Sequence, residues 1–150
     1  MANHYLQFSE QIDDIPPDGI KWARKVLDFI AEDNDCTEAA EDVLKGLLYI
    51  EGNLGTDVEE WPDFKVDIDV NSIWFHSEEF DNIRNIGMFV QALIKRFMPD
   101  YIFSLTWAET CSKPRLGEFG GGCMVVSKDE IKSWNVYSQA RQYVEELRKA

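Results

Sequence analysis

Apolar positions along the chain recur at periods of about 2 and about 3.6 residues, and these two rhythms divide it into strand-like and helix-like segments. His4 to Glu10 alternates as a first strand. Asp13-Asp14-Ile15-Pro16-Pro17-Asp18-Gly19 breaks it, because neither proline can donate to a ladder. From Ile20 the apolar residues fall at helical spacing, at Ala23, Val26, Leu27 and Ile30, and this helix is predicted to end by Asn34. A second helix begins near Thr37, an N-cap candidate with Glu38 and Glu41 in the turn that the helix dipole favours for acids. Its face is Ala40, Val43, Leu44, Leu47 and Leu48, and Gly52 or Gly55 stops it. Asn53 to Asp63 is polar and acidic, and is predicted as a loop.

Phe64 to Asp69 alternates strictly, with Phe64, Val66 and Ile68 on one face and Lys65, Asp67 and Asp69 on a wet one. Val70-Asn71-Ser72 turns the chain into a partner strand, Ile73 to Ser77. Glu78 to Phe97 is the clearest helix, striped by Ile83, Ile86, Val90, Leu93, Ile94 and Phe97, and Pro99 bars its continuation. Two β-prone runs follow, Tyr101 to Trp107 and Cys123 to Val126. A last helix is predicted from about Asp129, with Ile131, Trp134, Val144 and Leu147 inward. The order β-α-α-β-β-α-β-β-α predicts an α+β fold in one globular domain. It is a mainly antiparallel sheet of about five strands with helices packed on one face. Asp67 and Asp69 would decorate the other, partly exposed face.

Composition narrows the classes. With 45% hydrophobic and 13% aromatic residues, the 150-residue chain has the makings of a core rather than of a disordered segment. A net charge of −13 disfavours direct binding to nucleic acid or to anionic membranes. Three cysteines (Cys36, Cys111, Cys123) are an odd count, without disulfide-framework or zinc spacing. The start, MANHYLQFSEQ, lacks the charged and apolar regions of a signal peptide, and no apolar run of about 20 residues could span a bilayer. The cytoplasm is the expected compartment, as a monomer or homodimer, with no cofactor and no metal.

The charge is uneven, and that changes the picture more than its total. Residues 1–81 carry 21 acidic and 5 basic side chains, whereas residues 82–150 carry 7 and 10. The first block reads either as a solubilising surface or as an electronegative face for a basic partner, with Asp57, Glu59, Glu60, Asp67 and Asp69 as its contact residues.

The richest local chemistry lies between the last two β-prone runs. There Lys113, Pro114, Arg115, Glu109, Glu118 and the triplet Gly120-Gly121-Gly122 are gathered in one loop. Glycines can bare backbone N–H groups to an anion, and Lys113 and Arg115 could clamp it, Arg115 with a planar fork. No Gly-Lys-Ser/Thr follows, so this is not a P-loop. An internal role is the plainer reading: Arg115 or Lys113 pairing with Glu109 or Glu118, and the glycines packing against Trp107. A protein-contact loop is the third option.

The stretch WAETCSKPRLGEFGGG, Trp107 to Gly122, resembles a motif of small, acidic bacterial and phage proteins, and the likeness extends faintly through the preceding helix and Tyr101-Ile102-Phe103. The resemblance implies a bacterial or mobile-element setting inside the cell, and no catalytic residue.

Other clusters read more plainly. On a hairpin, Cys111 and Cys123 would lie at the two bases and could face each other, with Lys113 near enough to favour a thiolate. The two histidines, His4 and His76, lie far off in sequence, so inert thiols are expected. His76 with Glu78, Glu79 and Asp81 imitates a metal cluster, although those acids more naturally serve a helix first turn. The tryptophans are expected in the core, except Trp61 beside Pro62, expected exposed. With no nucleophile–base pair and no metal set, the leading expectation is a non-enzymatic acidic interaction protein. Such a face can imitate the phosphate array of nucleic acid and inhibit a host nucleic-acid-binding protein. A module binding a phosphate or carboxylate ligand through the Lys113/Arg115/glycine loop is the alternative.

Overall fold

The structure, a computed structural model, describes residues 4–29, 37–52, 60–77, 82–114, 116 and 119–149. Elements follow in the order β1 (His4–Ile12), α1 (Pro17–Leu27), α2 (Thr37–Leu48), β2 (Val66–Ile68), β3 (Ile73–Ser77), α3 (Ile83–Phe97), β4 (Phe103–Cys111), β5 (Gly120–Val126), β6 (Ile131–Asn135) and α4 (Val136–Lys149). The six strands form one sheet in the order β2-β3-β1-β4-β5-β6, and every neighbouring pair is antiparallel. The fold is thus α+β, with one strand more than the sequence pattern suggests.

Register sorts the side chains between two faces, since residues directly opposite each other share a face. Phe8, Ile12, Ile73, Phe75, Phe103, Leu105, Met124 and Val126 line one face and are buried. α3 lies over that face through Ile86, Phe89, Val90, Leu93 and Ile94, none of them exposed by more than 1%. α1 joins the same core with Ile20, Trp22, Ala23, Val26 and Leu27, and α2 with Leu44 and Leu48. The outer face carries Ser9, Gln11, Asp67, Trp74, Ser104, Thr106 and Lys132, all exposed.

Local chemistry sets the boundaries. Pro17 opens α1 in its first turn, where a missing N–H costs nothing. α3 starts at Ile83 rather than Glu78, because the Asn82 side chain caps it by accepting from the Asn85 N–H at 3.1 Å. Residues 78–81 lie outside the described residues. Asp63 holds that helix start to the chain before β2: its two carboxylate oxygens accept from Asn82 Nδ2 and Asn85 Nδ2, each at 2.9 Å. α2 ends at Leu48, before either candidate glycine, with Tyr49 in the left-handed region at φ 56°. Val43, expected on its inward face, is 56% exposed. Trp61, expected exposed, is buried at 5%, and its indole N–H donates to the Val26 carbonyl at 2.9 Å.

The largest correction concerns the C-terminal segment. A helix from Asp129 with Ile131 and Trp134 inward is replaced by a hairpin strand, β6, and α4 begins only at Val136. Ser127 makes the turn: its N–H donates to the Glu130 carbonyl at 2.9 Å, and its hydroxyl accepts from the Glu130 N–H at 3.2 Å. Trp134 sits on the outer face with Lys132 5.1 Å above its ring. α4 buries none of its residues, and Val144 and Leu147, expected inward, are exposed.

Val90, on the inward face of α3, is fully buried, so Val90→Asp places an unpaired charge in the core and should abolish the cooperative thermal transition. Val43→Asp, on the exposed side of α2, should shift stability by less than about 0.5 kcal/mol. Thermal melts followed by circular dichroism check both, and similar melts for the two variants would contradict this core.

Candidate functional site

The topology gathers acids where the linear sequence spreads them. The β1–α1, β2–β3, α3–β4 and β5–β6 connections all emerge at the same end of the sheet, because Ile12, Ile68 and Ile73 share one row and Phe103, Val126 and Ile131 another. The Ile15 N–H donates to the Asn71 carbonyl at 2.9 Å and ties two of these connections together. This end presents Asp13, Asp14, Asp69, Asp100, Asp129 and Glu130, with Asp18 in the first turn of α1, all exposed, and Lys128 among them. Tyr101 registers the result. Its phenol is pushed above the usual tyrosine range, first by burial and then by the charges of Glu10 and Asp13.

Of the acids singled out in sequence that fall among the described residues, only Asp69 belongs to this end. Asp67 lies mid-strand on the outer face, where its carboxylate meets His76 Nε2 at 2.8 Å. Glu60, six residues before β2, is exposed, and Asp57 and Glu59 lie outside the described residues. His76 in turn stacks on Trp74 at 4.0 Å, and the Trp74 indole N–H donates to Ser9 Oγ at 2.8 Å. The metal-like grouping of His76 with Glu78, Glu79 and Asp81 involves residues outside the described set; among the described residues no His/Cys/Asp/Glu group could hold a metal.

Beside β2 runs a groove of about 510 Å³. Its lining combines Phe64, Val66, Ile68 and Leu27 with Arg24, Asp28, Lys65, Asp67 and His76. Sequence reasoning missed it because its wall, the last turn of α1, is nearly forty residues away. The Trp61 indole bond to Val26 and the edge-on Trp61–Phe64 contact at 5.5 Å bring the two together.

The glycine-rich loop is smaller than its sequence suggests. β5 begins at Gly120, so all three glycines pair with β4, opposite Glu109, Ala108 and Trp107. A Cβ on Gly121 would meet the Trp107 carbonyl oxygen, and one on Gly122 would meet both the Trp134 carbonyl oxygen and the Trp107 ring. Lys113 is exposed at the hairpin tip, and Arg115 and Glu118 lie outside the described residues.

Cys111 and Cys123 do not face each other. Cys123 pairs with Thr106 on the outer face, five residues before Cys111, whose side chain points to the opposite face. Cys111 instead stands directly across from His4 on β1, a neighbour that sequence distance concealed. Cys36 is outside the described residues.

The packing around Gly122 generates a paired test. Gly122→Ala should cost about 1–3 kcal/mol or more, since the obstructing atoms include backbone. Gly46→Ala, in α2 with nothing within 4 Å of its added Cβ, should gain about 0.5–1 kcal/mol. Denaturant unfolding of both variants measures the difference, and equal stabilities would contradict the close packing.

No known protein family, curated protein or solved structure matches this chain.

Proposed function

We propose that the protein acts by binding, and that the acidic end of its sheet docks a basic surface on a partner protein. The observation that carries this reading is the convergence of four connections bearing Asp13, Asp14, Asp69, Asp100, Asp129 and Glu130 at one end. Exposed acids held on hydrogen-bonded turns present a negative field without the cost of ordering a flexible tail. In its sharpest form the partner is a nucleic-acid-binding protein, whose phosphate-contacting surface the acidic end occupies as an inhibitor. The bacterial and phage resemblance of Trp107 to Gly122 favours such a role. The anion-cradle alternative keeps Lys113 as an exposed cation, but its glycines are engaged in the β4–β5 ladder rather than free in a loop.

Pull-down from bacterial lysate, quantified by mass spectrometry, tests the proposal. The wild-type chain should retain basic, nucleic-acid-binding proteins at low ionic strength and release them at about 0.5 M salt, where exposed charges are screened within a few ångströms. The variant with Asp13, Asp14, Asp100 and Asp129 changed to Lys should keep its melting transition and lose at least about 90% of that capture, a tenfold change worth about 1.4 kcal/mol. Capture indifferent to both salt and charge reversal would overturn the proposal.

A further inference from the structure

Among the described residues β2 has a neighbour on one side only, and its other side carries the polar groups of a strand awaiting a partner. In an antiparallel ladder, the N–H and C=O of one residue point the same way, and the direction alternates along the strand. The His76 N–H donates to the Lys65 carbonyl at 3.4 Å, and the Asp69 N–H donates to the Ser72 carbonyl at 2.9 Å. With the register Val66↔Phe75, Asp67↔Trp74 and Ile68↔Ile73, this makes Lys65, Asp67 and Asp69 the residues bonded to β3. Val66 and Ile68 therefore turn both N–H and C=O outward, and among the described residues no backbone group meets them. The two donor–acceptor pairs are two residues apart, about 6.6 Å, which is the repeat of an incoming antiparallel strand.

The 510 Å³ groove lies along this edge. Val66 and Ile68 belong to the helix-covered face of the sheet, and Asp67 and His76 to the outer face. Residues of both faces line the groove, as they line a cavity running along the edge between them. On the helix side the floor is apolar, with Leu27 and Phe64 beside Val66 and Ile68. On the outer side the strand presents Lys65, Asp67 and, beyond the groove at the strand's end, Asp69. α1 walls the groove through Arg24, Leu27 and Asp28.

We propose that this groove binds an extended peptide segment of a partner protein by strand addition to β2. The added strand places apolar side chains opposite Val66 and Ile68, and basic side chains opposite Asp67 and Asp69, with an acidic or neutral one opposite Lys65, so that opposite charges pair favourably. Backbone hydrogen bonds supply affinity, and the alternation of apolar and basic positions supplies specificity. A second copy of the chain is a poorer occupant. Two chains of net charge −13 repel. The site shares Asp69 with the acidic end, but its affinity rests on the open backbone of β2, which salt does not screen.

Selection of a displayed random heptapeptide library on the folded protein tests the proposal. The best-enriched peptide is then synthesised for titration and residue-resolved amide hydrogen exchange. Enriched sequences should alternate apolar and basic residues, and the peptide should slow exchange at Val66 and Ile68 about tenfold or more. Val66→Pro removes an outward N–H that β3 does not use, so the sheet should survive while affinity drops about tenfold or more. Should that variant not fold, exchange in the wild-type chain decides alone. The acidic-end variant (Asp13, Asp14, Asp100 and Asp129 to Lys) should still bind the peptide, which separates failure of one reading from failure of the other. No alternating enrichment, or protection that spares β2, would overturn the proposal. Concentration-dependent dimerisation protecting Val66 and Ile68 without peptide would overturn it too, assigning the edge to a second copy.

Discussion

The layers close on Phe89. Its ring stacks on Trp22 of α1 at 5.6 Å, and meets Phe75 of β3 at 6.1 Å and Phe64, just before β2, at 6.2 Å. Phe75 carries the contact on to Phe103 of β4 at 5.8 Å. One aromatic side chain of α3 thus ties together a helix, the chain leading to the edge strand and the middle of the sheet. Gly87, two residues earlier, lets the same helix settle on β5: any Cβ there would strike Met124. Everything on the outer face and at the β2 edge depends on α3 occupying one face and leaving the other to solvent.

Much of this was legible in the sequence because short-range patterning decides it. The β2–β3 hairpin and the stripe of α3 follow from alternation and from a 3.6-residue period over long, unambiguous runs. The C-terminal segment misled because Ile131 and Trp134 fit a helical stripe as well as a strand. A serine-built turn at Ser127, with β5 open beside it, decides for the strand. α4 misled differently. It has the amphipathic pattern of a core helix, yet its apolar residues Val136, Tyr143, Val144 and Leu147 stay exposed, so periodicity gave the helix without its partner. Trp61 looked like a loop residue among acids, but its indole is the donor that closes the end of α1.

The candidate sites were less legible, since they are made by topology. Four acidic connections converge only once the strand order is known, and the β2 groove needs α1 brought over an edge strand. The glycine triplet was visible, but its role was not. Its glycines are where β5 must pass close to Trp107 and the Trp134 carbonyl, which is a packing demand before it is a chemical one. On the binding proposed for them, the two surfaces would divide recognition, long-range charge at the end of the sheet and directional hydrogen bonding at its edge. A partner touching both would be steered by the first and fixed in register by the second.

The central claim is that the sheet is closed by α3 on one face and remains open along β2. Residue-resolved hydrogen exchange of the unliganded protein tests it most directly. The account predicts alternation within one short strand: a slow Asp67 amide, bonded to β3, between fast Val66 and Ile68 amides, with the α3 amides slowest of all. Uniform protection from Val66 to Ile68 would mean that the edge is already covered, and would contradict the account.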